Sequence, residues 1–404
     1  MKTTNHMAYS DPRCISVFIM TGLLALCSLP SAAHGQVEGY GYFEPQYSGM
    51  YLDTAYCQSS HGKLRIDLAS TEIKSVRFGA DIIFLNYFGK TSWNLLEFLP
   101  GDIASSIPPE QLPMYQFSFR DTFYLDNAYV RLNIRRIAIM FGKQQISFGT
   151  GYFSNPTDVF NTKDALDPTY EQPGHNALRL EVYPVPRVSI TALYSPIADN
   201  WNSSGKLGRI KIGLGHFDIS AIGYQYQYTS TDFHTLQQST EEHLTIGGDI
   251  VGEIFGLGVW GEGIYTLPES SNDNTCEFLA GSDYTFEGGF YAMFEYHHNS
   301  GAKSDHQDYD LNDWMRYITG ESKTIARDQA YGLMQFPLTD YVTIGSMCLF
   351  SISDQSAVII PLVNYNMFEN VDLTLMFNVY TGDEGTAFSN KFGTGGFLRA
   401  TVYF

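Results

Sequence analysis

Residues 76–84 read Val-Arg-Phe-Gly-Ala-Asp-Ile-Ile-Phe. Val76, Phe78, Ala80, Ile82 and Phe84 fall on one side of an extended chain, and Arg77, Gly79 and Asp81 on the other. Side chains alternate along a β-strand, so this stretch has one apolar and one polar face. The pattern recurs along nearly the whole chain. Leu64, Ile66 and Leu68 oppose Arg65 and Asp67; Leu178, Leu180 and Val182 oppose Arg179 and Glu181. Gly208, Ile210, Ile212 and Leu214 likewise oppose Arg209 and Lys211. In a soluble sandwich the apolar face meets a second sheet; in a transmembrane barrel it meets lipid.

The connections separate these two. Turn-forming residues give short links near 70–74, 133–136, 184–187, 214–216, 252–255, 286–288, 337–340 and 366–370. Mostly longer ones alternate with them, near 57–62, 89–116, 149–175, 196–205, 229–241, 267–275, 299–327 and 381–393, with a short exception at 353–355. Short turns on one side and long loops on the other mark an outer-membrane barrel. The spacing predicts an all-β fold over residues 36–404: one antiparallel transmembrane β-barrel of about 18 strands, with 16 the nearest alternative. Pro361 cannot donate to the strand ladder and predicts a bulge or an early strand end. Leu311–Tyr317 predicts a short helix inside a long loop.

Composition agrees. Only 17% of residues are charged, where a soluble domain carries about 25%. Phe, Trp and Tyr make up 15%, as aromatic girdles at both lipid–water boundaries require. Residues 1–35 carry Lys2 and Arg13, an apolar run from Ile15 to Leu29, then Pro30 and small residues. This order predicts a cleaved secretory signal peptide, with cleavage after Ala33 or Gly35. Leu26 before Cys27 is larger than a lipid-attachment motif tolerates. No later window approaches the 18 apolar residues of a membrane helix. The expected location is therefore the bacterial outer membrane, among lipid and lipopolysaccharide. Leu398, Ala400, Val402 and Phe404 alternate with Arg399, Thr401 and Tyr403. A last strand ending in an aromatic residue resembles the signal read by the barrel-assembly machinery, an expected partner through Phe404.

The polar faces give the lumen its charges. Arg65, Arg77, Arg131, Lys143, Arg179, Arg209, Lys211 and Arg399 are expected to project inward from strands 2–8 and the closing strand. Asp218, Asp249, Glu262, Asp283 and Glu295 are expected inward from strands 9–13. Opposite walls of opposite sign make a transverse field that orients and filters solutes. Local ion pairs, such as Arg65–Asp67 or Arg179–Glu181, are the other reading.

Residues 141–161 read Phe-Gly-Lys-Gln-Gln-Ile-Ser-Phe-Gly-Thr-Gly-Tyr-Phe-Ser-Asn-Pro-Thr-Asp-Val-Phe-Asn. Here a Gly-Lys-Gln run ends a strand and an Asn-Pro-x-Asp-x-Phe-Asn loop follows. The stretch resembles the signature of Gram-negative outer-membrane porins of the broad alginate-exporter and phosphate-selective type. The matching residues are Gly142, Lys143, Gln144, Gly149, Asn155, Pro156, Asp158, Phe160 and Asn161. The resemblance implies a loop folded into the lumen as a constriction, built from Asn155, Pro156, Asp158, Phe160, Asn161 and Lys163. Tyr152, Phe153 and Phe160 would anchor it, and Lys143, Asp158 and Lys163 are the candidate constriction charges. It also implies a homotrimer as the assembly to test. Lys143 stands where Arg is common and the net charge is −19, so anion selectivity does not carry over.

These residues predict a water-filled channel for passive diffusion of small hydrophilic or charged solutes, with no enzyme activity, cofactor or metal. The alternative is a barrel within a larger complex, as a sheath for a multihaem cytochrome or part of an export assembly. A lesser alternative is an outer-membrane hydrolase using His298 and Ser300. His297, His298, Asp305, His306 and Asp308 offer metal-ligand atoms, but acidic outer loops are ordinary among lipopolysaccharide phosphates. A pI near 4.8 disfavours nucleic acid. Beyond the signal, Cys57, Cys276 and Cys348 leave at least one free thiol and permit one disulfide.

Overall fold

A computed structural model describes residues 37–52, 55–71, 75–164, 166–168, 170–196, 204–270 and 273–404. The expected signal peptide lies outside the described residues. Eighteen strands form the barrel: β1 (Val37–Leu52), β2 (Ala55–Ser70), β3 (Val76–Gly89), β4 (Thr122–Ile134), β5 (Ile137–Gln145), β6 (Gly174–Val185), β7 (Val188–Ser195), β8 (Gly205–Leu214) and β9 (Phe217–Asp232). They continue with β10 (Gln237–Ile254), β11 (Leu257–Pro268), β12 (Thr275–Thr285), β13 (Tyr291–Asn299), β14 (Asp328–Pro337), β15 (Val342–Ser351), β16 (Ala357–Phe368), β17 (Val371–Tyr380) and β18 (Thr394–Tyr403). Each strand pairs antiparallel with the next, and β18 pairs back onto β1, closing the sheet. Gly41 and Phe404 exchange backbone hydrogen bonds of 3.0 Å at the seam. Closure leaves no unpaired edge, the condition for a sheet to stand in lipid.

The outward face follows the sequence pattern. Phe78, Phe84, Leu178, Ile210, Ile212, Leu244, Ile246 and Phe377 are large, apolar and exposed. At the short-turn end, Phe255 and Gly256 both take positive φ (51° and 85°). That two-residue geometry matches the twist of the strands it joins.

Three features differ from the sequence reading. The expected loops at 57–62 and 229–241 are strand: β1 and β2 pair up to Leu52 and Ala55, and β9 and β10 up to Asp232 and Gln237. Pro361 does not end its strand. Pairs to β17 are missing at Ile360 and Pro361, but the register resumes unchanged at Leu362, and the irregularity lies at Asn366–Phe368. The inner wall of β13–β17 is apolar, with Met293, Tyr331, Leu333, Met347, Leu349, Val358, Ile360, Leu362 and Met376 buried.

Loops cover that wall from inside. Leu99, Ile107 and Tyr115 come from the 90–121 loop, and Ala387 and Phe388 from the 381–393 loop. Helix α1 (Gly101–Ser106) lies in the first of these, and the expected helix, α2 (Leu311–Ile318), lies in the 300–327 loop. Helix α2 is closed by a capping box between Asp310 and Asp313, and it buries Leu311, Trp314 and Met315 in the same cluster. Each fully buried large side chain contributes about 1.5–3 kcal/mol, so the loops are packed as a core and not merely tethered.

The lipid face yields a first prediction. Ile210→Arg, at the centre of β8, lowers stability by about 2–4 kcal/mol in urea titrations of the bilayer-inserted protein. A change below about 0.5 kcal/mol would show that Ile210 does not face lipid.

Candidate functional site

After β5, residues 146–164, 166–168 and 170–173 form a belt inside the barrel. It is built first from its own residues. Asn155 Nδ2 donates to the Phe148 carbonyl at 3.1 Å, and Asn161 Nδ2 to the Ile146 carbonyl at 2.6 Å. Asp158 accepts from Ser147 Oγ (3.0 Å) and from the Phe160 and Asn161 N–H groups (3.1 and 3.2 Å). Pro156 is buried between them. Gly149 has φ +92°, and a Cβ there would collide with the Glu262 carboxylate.

The acidic wall holds the belt. Thr150 N–H donates to Glu262 Oε2 at 2.7 Å. Tyr152, Phe153 and Ser154 N–H groups donate to the Glu295 carboxylate at 2.8, 3.1 and 3.3 Å, and Trp260 Nε1–H adds a fourth bond at 2.7 Å. Glu295 is fully buried. A carboxylate buried without a cation is stable only when several N–H groups converge on it. Phe153 stacks on Tyr331, ring centres 4.9 Å apart, and Phe160 lies 5.3 Å from Tyr224.

The belt's second leg crosses to the opposite wall. Asp167 meets Arg399 at 2.8 Å, and Tyr170 donates to Glu44 at 2.9 Å. Glu171 meets Lys63 at 2.7 Å and Arg65 at 2.9 Å, and accepts from Tyr42. Burial alone would raise the Glu171 carboxyl, but Lys63, Tyr42 and Arg65 hold it below its ordinary range.

Most expected lumen charges lie inside and are locally paired. Arg65 meets Asp67 (2.7 Å) and Asp81 (2.9 Å); Arg131 and Arg179 meet Glu181 (3.3 and 2.7 Å). Arg209 meets Asp249 at 3.2 Å, and Lys211 meets Asp218 at 2.6 Å near the short turn. Asp283 accepts from Tyr291 at 2.9 Å, and Arg77 stands opposite Arg131. Asp218 and Asp249 sit beside bases, whereas Glu262 and Glu295 are taken up by the belt and Asp283 by Tyr291.

Lys143 departs from the expected inward direction. Its register pairs it with Ala128 and Asn176, on the face of Phe141 and Leu178, and its Nζ reaches the Leu125 carbonyl at 2.8 Å. At a strand end a lysine stem lies along the outer wall while its head finds a carbonyl. Asp158 and Lys163, the other candidate constriction charges, have partners within the belt. Asp158 is buried in the belt's own turn, and Lys163 donates to the Gly151 and Tyr152 carbonyls at 2.7 and 3.0 Å.

Sequence reasoning missed Lys63, Glu171, Trp260 and Lys323, which reaches the Asn155 carbonyl. Lys63 and Trp260 lay on alternating strands; Glu171 and Lys323 carried no signal. The hydrolase candidates are engaged elsewhere: Ser300 Oγ accepts from Cys276 N–H at 2.7 Å, and His298 Nδ1 pairs with Asp328 at 2.7 Å. Cys57, Cys276 and Cys348 are unpaired thiols. Among the described residues no group of three or more His, Cys, Asp or Glu is placed to hold a metal ion. Two cavities of about 610 and 410 Å³ open on the long-loop side of the belt, and one of about 190 Å³ on the short-turn side.

The class of fold is a closed 18-stranded antiparallel barrel with loops packed inside. No family model matches the chain, and no curated protein matches its sequence. Solved structures match its fold. OccAB2 of Acinetobacter baumannii aligns at a TM-score of 0.56 and 7% identity, over 92% of this chain and 99% of that one. OccAB1 of the same organism aligns at 0.55 and 11%, over 93% and 98%. OccK11 (OpdR) of Pseudomonas aeruginosa aligns at 0.53 and 9%, over 91% and 96%.

Two predictions concern the belt's anchors. Glu295→Ala leaves three belt N–H groups without their acceptor, each charged bond contributing about 1.5–3 kcal/mol. Amide exchange at Tyr152, Phe153 and Ser154 therefore speeds about 100-fold or more, and unchanged exchange would refute the anchor. For Glu171 the folded pKa is depressed, so its contribution is present above the ordinary carboxylate value of about 4.3. It is lost only as pH falls through the lower folded value. Proteolysis within 166–171 should rise below about pH 4; a rise already at pH 6 would contradict this.

Proposed function

We propose that the chain is an outer-membrane porin through which small hydrophilic or charged solutes diffuse passively. The observation that supports this best is the contrast between the two inner walls. The wall running from β18 through β1 to β8 keeps charged side chains inside a closed barrel; Arg131 and Lys211 remain 30% and 37% exposed. Charged groups inside a lipid-facing barrel serve a lumen that water enters. The belt narrows that lumen and sets what passes.

The Gly142–Asn161 motif supports a place near the alginate-exporter and phosphate-selective porins; porins are often trimers, and a homotrimer is the assembly to test, with no residue here marking a trimer face. The belt and the 300–327 loop occupy the interior that a sheathed partner would need, which weighs against a sheath for a cytochrome. The partners of Ser300 and His298 weigh against a hydrolase.

The test is single-channel recording of the refolded chain in planar bilayers. Small, ohmic openings are expected, and Glu295→Ala should raise the conductance at least about twofold by loosening the belt. A folded, inserted barrel that carries no current would overturn the channel reading.

A further inference from the structure

On the long-loop side of the belt, Thr162, Lys163, Asp164 and Leu166 form one wall of the cavity of about 410 Å³. Tyr317, Ile318, Lys323, Tyr380, Phe388 and Phe392 face them. The cavity is lined by both aromatic and charged side chains. The charged groups are not equivalent. Lys163 is engaged by the Gly151 and Tyr152 carbonyls, and Lys323 by those of Asn155 and Asp158. An anion would have to draw either lysine away from the belt carbonyls it holds.

Asp164 is different. Its carboxylate accepts from the Leu166 N–H of its own turn at 2.9 Å, and no Lys, Arg or His among the described residues lies within 4.0 Å of it as an ion-pair partner. It is open to the cavity. Tyr317 and Tyr380 line the same cavity, and neither hydroxyl has a hydrogen-bond partner among the described residues. Tyr380 and Phe392, their ring centres 5.6 Å apart, both line this cavity.

We propose that this cavity binds organic cations: solutes with an ammonium head on Asp164 and an apolar or aromatic body among Tyr317, Tyr380 and Phe392. Ring faces attract cations through their quadrupole, and an unpaired carboxylate supplies the charge that fixes the head. The volume suits a solute of about ten non-hydrogen atoms. The proposal deepens the channel reading by naming a substrate class for the vestibule, and it rests on that reading only for the route onward.

The experiment uses the full folded barrel with three probes of one shape: 2-phenylethylammonium, neutral 2-phenylethanol and phenylacetate. Calorimetry in detergent reads binding without requiring a current. The ammonium should bind at least about tenfold more tightly than either analogue. Asp164→Asn and Tyr380→Leu should each weaken it about tenfold, while Asp340→Asn, in a short turn, leaves it unchanged. In bilayers the same probe should block current with the same ranking. Equal binding of the three probes, or full affinity in Asp164→Asn, overturns the proposal. Binding without any current would retain the cation site and refute the channel.

Discussion

The interior of this barrel depends on one buried carboxylate. A loop that enters a barrel carries its backbone N–H groups away from water, and each needs an acceptor. Glu295 answers three consecutive ones, Tyr152 to Ser154, and fixes its own position through Trp260. Glu262 does the same for Thr150. With this corner held, Phe153 reaches Tyr331 and the apolar cluster. The second leg is then delivered to Arg399, Lys63 and Arg65 on the far wall. The acids of β11 and β13 thus act on the belt before they act on any solute.

The two walls follow different physics. Along β13–β17 the inner face is apolar and is covered by side chains from the 90–121, 300–327 and 381–393 loops. Burial there is non-directional and grows with the area removed from water. Along β18, β1 and β2 the belt is joined by ion pairs and hydrogen bonds, which specify position more than they add stability. One side therefore holds the loops in, and the other sets where the belt stands. A polar inner wall beside a packed apolar fill follows from that division.

The fold was legible because lipid imposes a period of two on every strand that crosses it, as in Val76–Phe84 and Leu178–Val182. Where strands outrun the lipid, that pressure lapses. Gln58 to His61 and Thr229 to Thr231 read as loop by composition, yet they pair as strand, with Thr229 bonded to Thr240 and Ser230 to Ser239 across the hairpin. The apolar run Ala357 to Val363 held a clue to the filled interior, since a strand apolar on both faces is buried on both. The inward loop came from the resemblance, while Asn155, Pro156 and Asp158 carried only its turn chemistry, which is local. Its partners were not legible, because Lys63, Glu171 and Lys323 meet it from far along the chain. Lys143 marks the limit of reading faces from charge: a long side chain at a strand end follows the nearest carbonyl.

Charge compensation decides what a solute can feel in such a lumen. Arg65, Arg131, Arg179, Arg209 and Lys211 each have a carboxylate within 3.3 Å, so their fields fall off as dipoles and not as point charges. Glu262 and Glu295 are likewise engaged by the belt. A net charge of −19 therefore does not reside on the wall that the sequence pattern points to. The groups left to act on a passing solute are those without a close counter-charge, and in a low-dielectric enclosure one such group outweighs several compensated pairs. Selectivity in a barrel of this kind is then set less by how many charges line the wall than by which of them the protein leaves unanswered.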